Sequence, residues 1–575
     1  MKQAMIFLLT ILLPLAAHPA GARVEVVVEG VSEAAQRNIL EHLGIEQQKN
    51  VPDLSDGRIR RLHEKAPDEI RLALQPFGYY RPAIEAELTP TETGWRARYR
   101  VDPGPAVPIR ELDLRLSGDG SGDDRFQALM QKFPIRQGDS LNHVVYEDSK
   151  RALQNLAAER GYLDARFTRQ EVRVDLEAYA TSIALHFDTG PRYRFGPVTI
   201  AQDILDPAFV ARFVPFKPGD PYSTSALLEL QSALGDSDYF ANVEVLPHPE
   251  QAVDREVPIE VRLSPRKPTK YSLGVGYGTD TGARGSLGWE RRYLNRDGHH
   301  MRADLQASQI KNSLTTAYII PIRDPRTDYI TFNAGMFEED TKTAESEIRT
   351  FGVSKTRARG KWRETTSLNF HNEKFDIGGE TGSSTLVLPG ISWTRVRADD
   401  RIYAERGSRL TLEVRGGANS LGSDTSFVQS RAQAKYIHNL GAGRAIARVD
   451  AGASRVADFS ELPASVRFFA GGDQSVRGYG YNTLGPVNDA GVVVGGRHLL
   501  VGSLEYEHRL AGKWSAAAFY DIGNAIDDFS DPLKKGAGIG LRWQTPIGQI
   551  RVDLAEALSE PGRPRRFHLV IGPDL

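Results

Sequence analysis

The stretch VQSRAQAKYIH, residues 428–438, alternates between two kinds of side chain along its whole length. In an extended chain, Val428 and Tyr436 fall on one face, whereas Arg431 and Lys435 fall on the other. This period of two predicts a β-strand with one apolar face and one charged face. The same pattern recurs in three further runs: HMRADLQAS (300–308), RLTLEVR (409–415) and RFHLVIG (566–572).

Alternating runs of this kind continue from Tyr271 to the end of the chain. Strands of a soluble β-sandwich also alternate, but they usually have about five or six residues. Several runs here reach about ten residues, which is the length that a tilted membrane strand needs. An even number of such strands is typical of a single-chain bacterial outer-membrane barrel. We place sixteen strands, which begin near Tyr271, Arg284, His299, Ser313, Tyr329, Glu347, Lys361, Thr385, Ser408, Ser426, Arg444, Arg497, Lys513, Gly536, Gly548 and Arg566.

The N-terminus has the three parts of a secretory signal peptide. Lys2 supplies a positive charge, residues 4–17 are apolar, and residues 20–22 (Ala-Gly-Ala) have the small-x-small pattern of a cleavage site. The apolar run is short for a membrane span, and an uncleaved anchor is the alternative. We therefore expect residues 1–22 to be a signal peptide and the mature chain to begin at Arg23.

The composition excludes several classes of protein. The chain has no cysteine, which rules out disulfides, thiolate metal sites, cysteine nucleophiles and a lipidated cysteine. Lysine and arginine number 72 against 74 aspartates and glutamates, so no overall field favours nucleic acid. After the signal peptide, no apolar run reaches the ~18 residues of a membrane helix. No lipase elbow, zinc-protease helix or Walker loop occurs, and we expect no enzyme activity, no cofactor and no metal site.

The N-terminal half contains one layout three times. Each passage begins with a strand such as RVEVVVEGV (23–31), continues with helical patterning and ends with two alternating strands. An aromatic turn before the last two strands recurs at Tyr79, Tyr162 and Tyr239, with separations of 83 and 77 residues. A regular period of this size is an internal repeat. It predicts three small α+β domains, each with helices on one face of a short sheet.

These repeats resemble polypeptide-transport-associated (POTRA) domains, three in tandem. Three generic α+β domains that share a turn are the alternative. We therefore predict a fold of α+β POTRA repeats followed by an all-β, 16-stranded transmembrane β-barrel. The predicted boundaries are 23–105, 106–191 and 192–267 for the POTRA domains and 268–575 for the barrel.

One long segment interrupts the alternation. Residues 462–496 lie between two predicted strands and include SVRGYGY (475–481). Segments of this length without regular structure are usually functional or disordered. A solvated arginine on a flexible loop is the plain interpretation of Arg477, but an arginine folded into the barrel interior needs a partner. Candidate carboxylates follow in the next two strands: Glu505, Glu507 and Asp521.

The same residues carry a family resemblance. SVRGYGY resembles the loop-six motif of the outer-membrane β-barrel assembly and two-partner secretion superfamily, at Val476, Arg477, Gly478 and Tyr479. FYDIG resembles the Phe-x-Asp-x-Gly motif of the strand that receives this loop, at Phe519, Asp521 and Gly523. The resemblance implies that Arg477 enters the lumen and bonds Asp521, with help from Glu505. A guanidinium fork suits a carboxylate and stays charged at any relevant pH.

Longer stretches resemble one branch of that superfamily, the outer-membrane subunits of translocation and assembly modules. The stretches are YSLGVGYGTDTGARGSLGWERRYLNRDGH (271–299), VRFFAGGDQSVRGY (466–479), GSLEYEHRLAGKW (502–514) and the terminal GPDL (572–575). Members of that branch carry three POTRA domains and a sixteen-stranded barrel. The resemblance therefore covers residues 23–575.

The first and last strands of the predicted barrel should meet where the barrel closes. Gly274, Gly276 and Gly278 weaken the first strand, and Pro573 after the last strand cannot donate a ladder hydrogen bond. Both features predict a short, weak seam, although the glycines could equally serve strand curvature. The resemblance implies that this seam is a lateral gate. Its other side is formed by the outward residues of the last strand, Phe567, Leu569 and Ile571.

The resemblance implies a non-enzymatic assembly factor of the cell outer membrane, with its POTRA domains in the periplasm. It would insert unfolded outer-membrane proteins such as autotransporters, and POTRA domain 1 would contact an inner-membrane-anchored partner subunit. Outer-membrane lipid is the third expected partner, and nucleic acid is not one. The alternatives are a two-partner-type secretion pore, the central subunit of the general barrel assembly machinery, a passive porin, and a lipid-transport role with the inner-membrane partner.

Overall fold

The chain forms three small sheets of three strands each, followed by one sheet of sixteen strands. This order confirms the predicted fold class of α+β repeats followed by an all-β barrel. The computed structural model describes residues 24–51, 54–92, 94–400, 403–546 and 548–572. The predicted signal peptide (1–22), Arg23 and Pro573 lie outside the described residues.

The first repeat packs helices against one face of a small sheet. Its elements are β1 (Val24–Glu29), α1 (Glu33–His42), α2 (Gly44–Gln48), α3 (Asp56–Leu74), β2 (Ala83–Thr91) and β3 (Gly94–Asp102). The sheet order is β1-β3-β2, with β1 parallel and β2 antiparallel to β3. The Ser32 and Ser55 hydroxyls accept backbone N–H bonds in the first turns of α1 and α3. The helices bury Ile39, Ile59 and Tyr99 in one core.

The second and third repeats have the layout of the first, with two α-helices instead of three. The second contains β4 (Ile109–Ser117), α4 (Asp124–Gln131), α5 (His143–Arg160), β5 (Arg166–Asp175) and β6 (Ala180–Asp188). The third contains β7 (Arg194–Ala201), α6 (Pro207–Val210), α7 (Thr224–Gly235), β8 (Phe240–Pro247) and β9 (Glu256–Pro265). The last strand of each repeat lies in the middle of its sheet, in the orders β4-β6-β5 and β7-β9-β8.

The aromatic turn of each repeat needs a left-handed residue before the tyrosine. Glycine fills this position in the first two repeats, with φ of 84° at Gly78 and 81° at Gly161. In the third repeat the residue is Asp238, with φ of 63°. Aspartate tolerates this conformation better than most residues. Its carboxylate also pairs with Arg266 at 3.2 Å and with Arg292 at 3.0 Å, which holds the turn in place.

The sixteen-stranded sheet runs from Thr269 to Gly572, and each strand pairs antiparallel with the next. The predicted strand starts lie within five residues of the observed ones, the largest difference being Thr385 against Glu380. The strands are β10 (Thr269–Gly278), β11 (Gly282–Arg291), β12 (His300–Ser308), β13 (Lys311–Pro321), β14 (Tyr329–Asp340), β15 (Ala344–Arg359), β16 (Trp362–Ile377), β17 (Glu380–Ala398), β18 (Gly407–Gly417), β19 (Phe427–Leu440), β20 (Gly443–Val456), β21 (His498–Ala511), β22 (Trp514–Ile526), β23 (Lys534–Thr545), β24 (Gly548–Ala557) and β25 (Arg565–Gly572). Within the described ranges, no helix is both long enough and apolar enough to cross a membrane.

The chain divides into two compact units. The first comprises residues up to 197 with 216–227 and 247–259, and the second comprises 198–215, 228–246 and residues from 260 onward. Within the second unit, the turn between β11 and β12 contacts segments of the third repeat. The Tyr239 hydroxyl donates to the Gly298 carbonyl at 2.6 Å, and the Asp206 N–H donates to the Arg296 carbonyl at 2.7 Å.

Candidate functional site

The long segment between β20 and β21 is folded inside the barrel. Isolated backbone bridges join Phe468 to Gly496 and Ala470 to Leu484, so the segment doubles back on itself. Its apolar side chains share one buried cluster with lumen-facing residues of the wall: Phe468, Ala470, Val476, Tyr479 and Leu484 with Leu499, Val501, Ala525 and Ala557. We call residues 462–496 the lumenal loop. Its burial excludes the plain interpretation of a solvated, flexible loop.

Arg477, near the middle of the lumenal loop, is 3% exposed. Its Nε and Nη2 donate to the two oxygens of Asp521 at 2.8 and 3.0 Å, and its backbone N–H donates to the same carboxylate at 3.0 Å. Its Nη1 donates to Glu505 at 2.6 Å. The guanidinium carbon lies 3.4 Å from the centre of the Phe519 ring, so the cation is bonded at its edges and stacked on its face.

A second arginine completes the charge cluster around Arg477. Arg542 is fully buried, and it donates to Glu505 at 2.7 Å and to Asp553 at 2.5 Å. Asp553 also accepts from Arg477 at 3.3 Å. Arg542 also lies 3.4 Å from Glu507, so the two guanidinium groups pair with four carboxylates in a buried region. Because each charge is bonded more than once, the cluster can satisfy groups that would be costly to bury alone.

Close backbone packing around Arg477 depends on a glycine of the barrel wall. A Cβ atom on Gly536 of β23 would collide with the Arg477 carbonyl oxygen. The N–H of Gly478, which has φ of 96°, donates to Nε2 of His568 on the last strand at 3.0 Å. The Tyr479 hydroxyl donates to the Lys535 carbonyl at 3.3 Å. The lumenal loop thus contacts β21 through β25.

The beginning of the lumenal loop is bonded to a different part of the wall. Glu373 of β16 is fully buried and accepts from the Ser465 backbone N–H at 3.1 Å and from Ser346 at 2.8 Å. His371 lies 2.9 Å from the same carboxylate. The Gln429 amide of β19 donates to the Val466 carbonyl at 2.8 Å. The loop therefore spans the lumen, with a cavity of about 1000 Å³ beside it.

The first and last strands, β10 and β25, stand at the two ends of the sheet order. Neighbouring strands elsewhere pair over seven to sixteen residues. Across the seam, the Thr279 N–H donates to the Leu569 carbonyl at 3.3 Å, and the Leu569 N–H donates to the Thr279 hydroxyl at 3.1 Å. Arg284 Nη2 donates to the Ile571 carbonyl at 3.2 Å. The barrel is therefore nearly closed, with little backbone pairing at this junction.

The predicted gate residues lie along this seam. Gly274, Gly276 and Gly278 belong to β10, which pairs regularly with β11 on its other side. Phe567, Leu569 and Ile571 belong to β25, which pairs regularly with β24. Outward apolar side chains of both strands are exposed: Val275 of β10 is 89% exposed and Phe567 of β25 is 54% exposed. Apolar side chains on this face suit contact with lipid.

The structure also shows where sequence reasoning was incomplete. It brings Arg477, Glu505, Asp521 and Phe519 together, and Gly523 lies close to Leu500 on β21. The candidate Glu507 pairs with Arg444 at 2.7 Å and with Arg542 at 3.4 Å rather than with Arg477. Arg542, Asp553 and Ser503, which complete the site, were not singled out. Alternation alone places Arg542 and Asp553 on the lumen side of their strands. That pattern is the sequence signal by which these two residues could have been found.

Comparison with known families gives three matches along the chain. A profile described as an Omp85 superfamily domain matches residues 267–574. A profile described as POTRA domain TamA domain 1 matches residues 25–103. A third, described as a surface antigen variable number repeat of the POTRA type, matches residues 115–190.

Curated relatives and solved structures agree with these matches. The outer membrane protein assembly factor BamA of Nitratidesulfovibrio vulgaris is 24% identical over 387 residues, covering 62% of this chain and 48% of that protein. BamA of Neorickettsia risticii is 22% identical over 522 residues, covering 84% of this chain and 68% of that protein. The chain thus spans about half the length of the first relative. A crystal structure of Haemophilus ducreyi BamA lacking POTRA domains 1–3 has the same fold, with a TM-score of 0.67, 17% identity, and coverage of 81% of this chain and 99% of that one.

Proposed function

This chain belongs to the Omp85 superfamily, and from that premise we propose that it is the outer-membrane subunit of a translocation and assembly module. The family consists of assembly and secretion barrels rather than enzymes. The barrel lies in the outer membrane and the POTRA repeats lie in the periplasm. In the proposed role, the barrel inserts outer-membrane proteins such as autotransporters through a lateral gate between β10 and β25.

The observation that carries this proposal is the sparse pairing across the seam. An open strand edge in lipid is costly, because each unsatisfied backbone group there costs several kcal/mol. A client strand that pairs with β10 or β25 removes that cost, so the seam is a natural template for strand addition. The glycines of β10 reduce the side-chain packing that opening would have to break. The seam therefore supports insertion into the bilayer rather than passage through the lumen.

The first POTRA domain supports the proposed partner subunit. The matching profile carries the description TamA domain 1, which associates this domain with the translocation and assembly branch. In the domain itself, β1 and β2 form the two edges of the sheet. Strand addition at such an edge would let a partner bind through backbone hydrogen bonds. On this proposal the partner is an inner-membrane-anchored subunit, which contacts the domain from the periplasm.

A secretion pore is the second candidate function, because the barrel does contain a lumen. The relevant observation is the lumenal loop, which crosses that space and is bonded to two different parts of the wall. A soluble client would have to displace the loop and break the buried charge cluster. Lipid transport would use the seam or the POTRA repeats without client folding. Neither secretion nor lipid transport would speed the folding of a client barrel into the membrane.

The testing experiment follows the folding of an unfolded autotransporter barrel added to liposomes that contain the mature protein. Folded client is measured as protease-resistant, heat-modifiable protein, and empty liposomes give the baseline. Faster folding than the baseline supports an insertase. The same assay with the partner subunit present separates a partner-dependent activity from none. If neither sample exceeds empty liposomes, direct insertion is wrong, and secretion or lipid transport becomes the better proposal.

A further inference from the structure

Two carboxylates from distant parts of the chain meet beside the seam. Asp280 lies in the turn between β10 and β11, and Asp473 lies in the lumenal loop. The Asp473 backbone N–H donates to Asp280 Oδ2 at 2.6 Å. One ligand atom from each of Asp280, Asp473 and His568 lies within 4.8 Å of the others. The seam thus contains three potential metal ligands from three separate elements.

Asp280 has an oxygen that the protein does not satisfy. The residue is 9% exposed, and its Oδ1 is buried without a hydrogen-bond donor in the described structure. Among the described residues, neither Asp280 nor Asp473 has a lysine or arginine salt-bridge partner. Two adjacent buried carboxylates repel each other and need compensation by a proton or a cation. The unpaired oxygen therefore points to a ligand.

His568 determines what kind of cation fits. Its Nε2 accepts the Gly478 N–H at 3.0 Å, so the proton of the neutral ring lies on Nδ1, which faces Asp473. In this tautomer the ring cannot also bind a metal through Nδ1. It acts instead as a donor that orients the Asp473 carboxylate, as the outer partners of metal ligands commonly do. The ligand atoms that remain are oxygens, including the Thr279 hydroxyl, which donates to Asp473 at 3.0 Å.

We propose that Asp280 and Asp473 bind a hard divalent cation, Ca²⁺ or Mg²⁺, which fastens the lumenal loop to the seam. Both cations prefer oxygen ligands, and Mg²⁺ commonly uses one or two carboxylates with water completing its shell. Both aspartates line the 1000 Å³ cavity, which provides a route for the cation and its water.

The position of this site gives it a mechanical consequence. The cation would join the β10–β11 turn to the lumenal loop, while His568 joins the same loop to β25. Both sides of the seam would then be held by one part of the loop. We call this fastening of the seam by the bound cation the clasp. The clasp rests on the proposed gate, whereas cation binding itself does not depend on any assembly activity. The two can therefore fail separately.

The binding test is calorimetric titration of the full-length protein in detergent after removal of divalent ions by EDTA. We expect saturable binding of Ca²⁺ or Mg²⁺ at one site and at least a tenfold loss of affinity in Asp280→Asn and in Asp473→Asn. Asp450→Asn is the matched control, because Asp450 lines the same cavity but is paired with Arg431 at 2.7 Å. The folded state of each variant is checked by heat modifiability.

Each other outcome contradicts the proposal. No binding would mean that the two carboxylates share a proton instead. Equal affinity in Asp280→Asn would move the site elsewhere. Binding of Zn²⁺ with no response to Ca²⁺ or Mg²⁺ would make His568 a ligand and overturn the oxygen site.

The clasp is tested by a single introduced thiol, which is unique because the chain has no cysteine. In Leu569→Cys, we expect the binding cation to slow maleimide labelling at the seam at least threefold. In Leu569→Cys combined with Asp280→Asn, the cation should have no effect on the labelling rate. A rate that ignores the cation in the first variant would leave a cation site without a clasp.

Discussion

At the scale of single residues, the site is centred on the buried cation of Arg477, which cannot move without breaking its ion pairs. Arg477 is held by a bidentate bond to Asp521, by Glu505 and by the ring of Phe519. Removing one partner of a buried ion pair costs about 3–5 kcal/mol, because the remaining charges lose their compensation. We therefore expect Arg477 to hold the loop in the lumen.

The first prediction concerns Arg477→Ala and Arg477→Lys. The alanine variant should free the lumenal loop, make it at least tenfold more sensitive to protease and impair client assembly. Lysine lacks the fork and should recover only part of the resistance. Arg431→Ala is the matched control, since it removes another lumenal arginine–aspartate pair outside the loop. Wild-type resistance and wild-type activity in Arg477→Ala would contradict the role of this residue.

The second prediction concerns Gly536, the glycine of the barrel wall that packs against the Arg477 backbone. In Gly536→Ala, the new methyl group would collide with the Arg477 carbonyl oxygen. Overpacking of this kind costs about 1–3 kcal/mol, and we expect the loop to be displaced rather than the strand. Loop proteolysis should increase while the barrel stays heat-modifiable. Gly285→Ala in β11, where a Cβ meets nothing within 4 Å, should leave proteolysis unchanged.

At the scale of elements, the seam and the repeats have opposite properties. The repeats are strongly bonded internally, whereas the seam between β10 and β25 has few bonds to lose. Opening at the seam therefore competes with little backbone pairing.

The third prediction tests opening at the seam. Tyr277 of β10 and Ile571 of β25 both lie on the outward face, and each is two residues from the hydrogen bond that joins Thr279 to Leu569. In Tyr277→Cys with Ile571→Cys, a disulfide or a short bismaleimide link should abolish client folding in liposomes, and reduction of the disulfide should restore it. The control pair is Leu305→Cys with Leu314→Cys, which are regular partners of β12 and β13. Full activity with a linked seam would exclude lateral opening.

The fourth prediction concerns pH and the second repeat. Burial would raise the pKa of Asp123, but hydrogen bonds from Arg160 and from the Arg125 backbone N–H outweigh it, and the net pKa is lowered. A lowered pKa means that this carboxylate stabilises the fold at neutral pH, and the contribution is lost as the pH falls below about 4.

Asp123→Asn should therefore lower the melting temperature at pH 7 and weaken its dependence on acid. An uncompensated Arg160 and Tyr162 would cost about 1–3 kcal/mol, or several degrees. The measurement is circular dichroism at 222 nm on the full chain, because α1 to α7 all precede the barrel. Equal melting of the variant and the wild type at pH 7 would show that Asp123 is not a stabilising group.

At the scale of the whole molecule, the two compact units separate the first repeat from the barrel. The first repeat has its own core and lies wholly in the first unit. The barrel, the lumenal loop and the seam lie wholly in the second unit. Partner binding and client insertion should therefore be separable.

The fifth prediction is that deletion of residues 24–102 removes partner binding and leaves the barrel intact. The shortened chain should remain heat-modifiable, and its lumenal loop should keep its protease resistance. Binding of the inner-membrane partner, measured by co-purification, should fall at least tenfold. A shortened chain that still binds the partner fully would assign that contact to another part of the molecule.

Much of the fold is contained in local patterns of the sequence. The period of two in runs such as residues 428–438 placed sixteen strands within five residues of their observed starts, because alternation reflects two environments on one strand. The repeated aromatic turn likewise predicted three α+β units. At Asp238 the local rule was incomplete, since ion pairs with Arg266 and Arg292 support a residue other than glycine.

The sequence by itself determined the strands, the repeats and the need of Arg477 for a partner, because each depends on neighbours along the chain. Only the tertiary structure decided that Asp553 and Arg542 share that cluster, and that Asp280, Asp473 and His568 meet at the seam. Asp280 and Asp473 are 193 residues apart. Such contacts depend on the register of every strand and on where the barrel closes, and these follow from the packing of the whole sheet rather than from any local pattern.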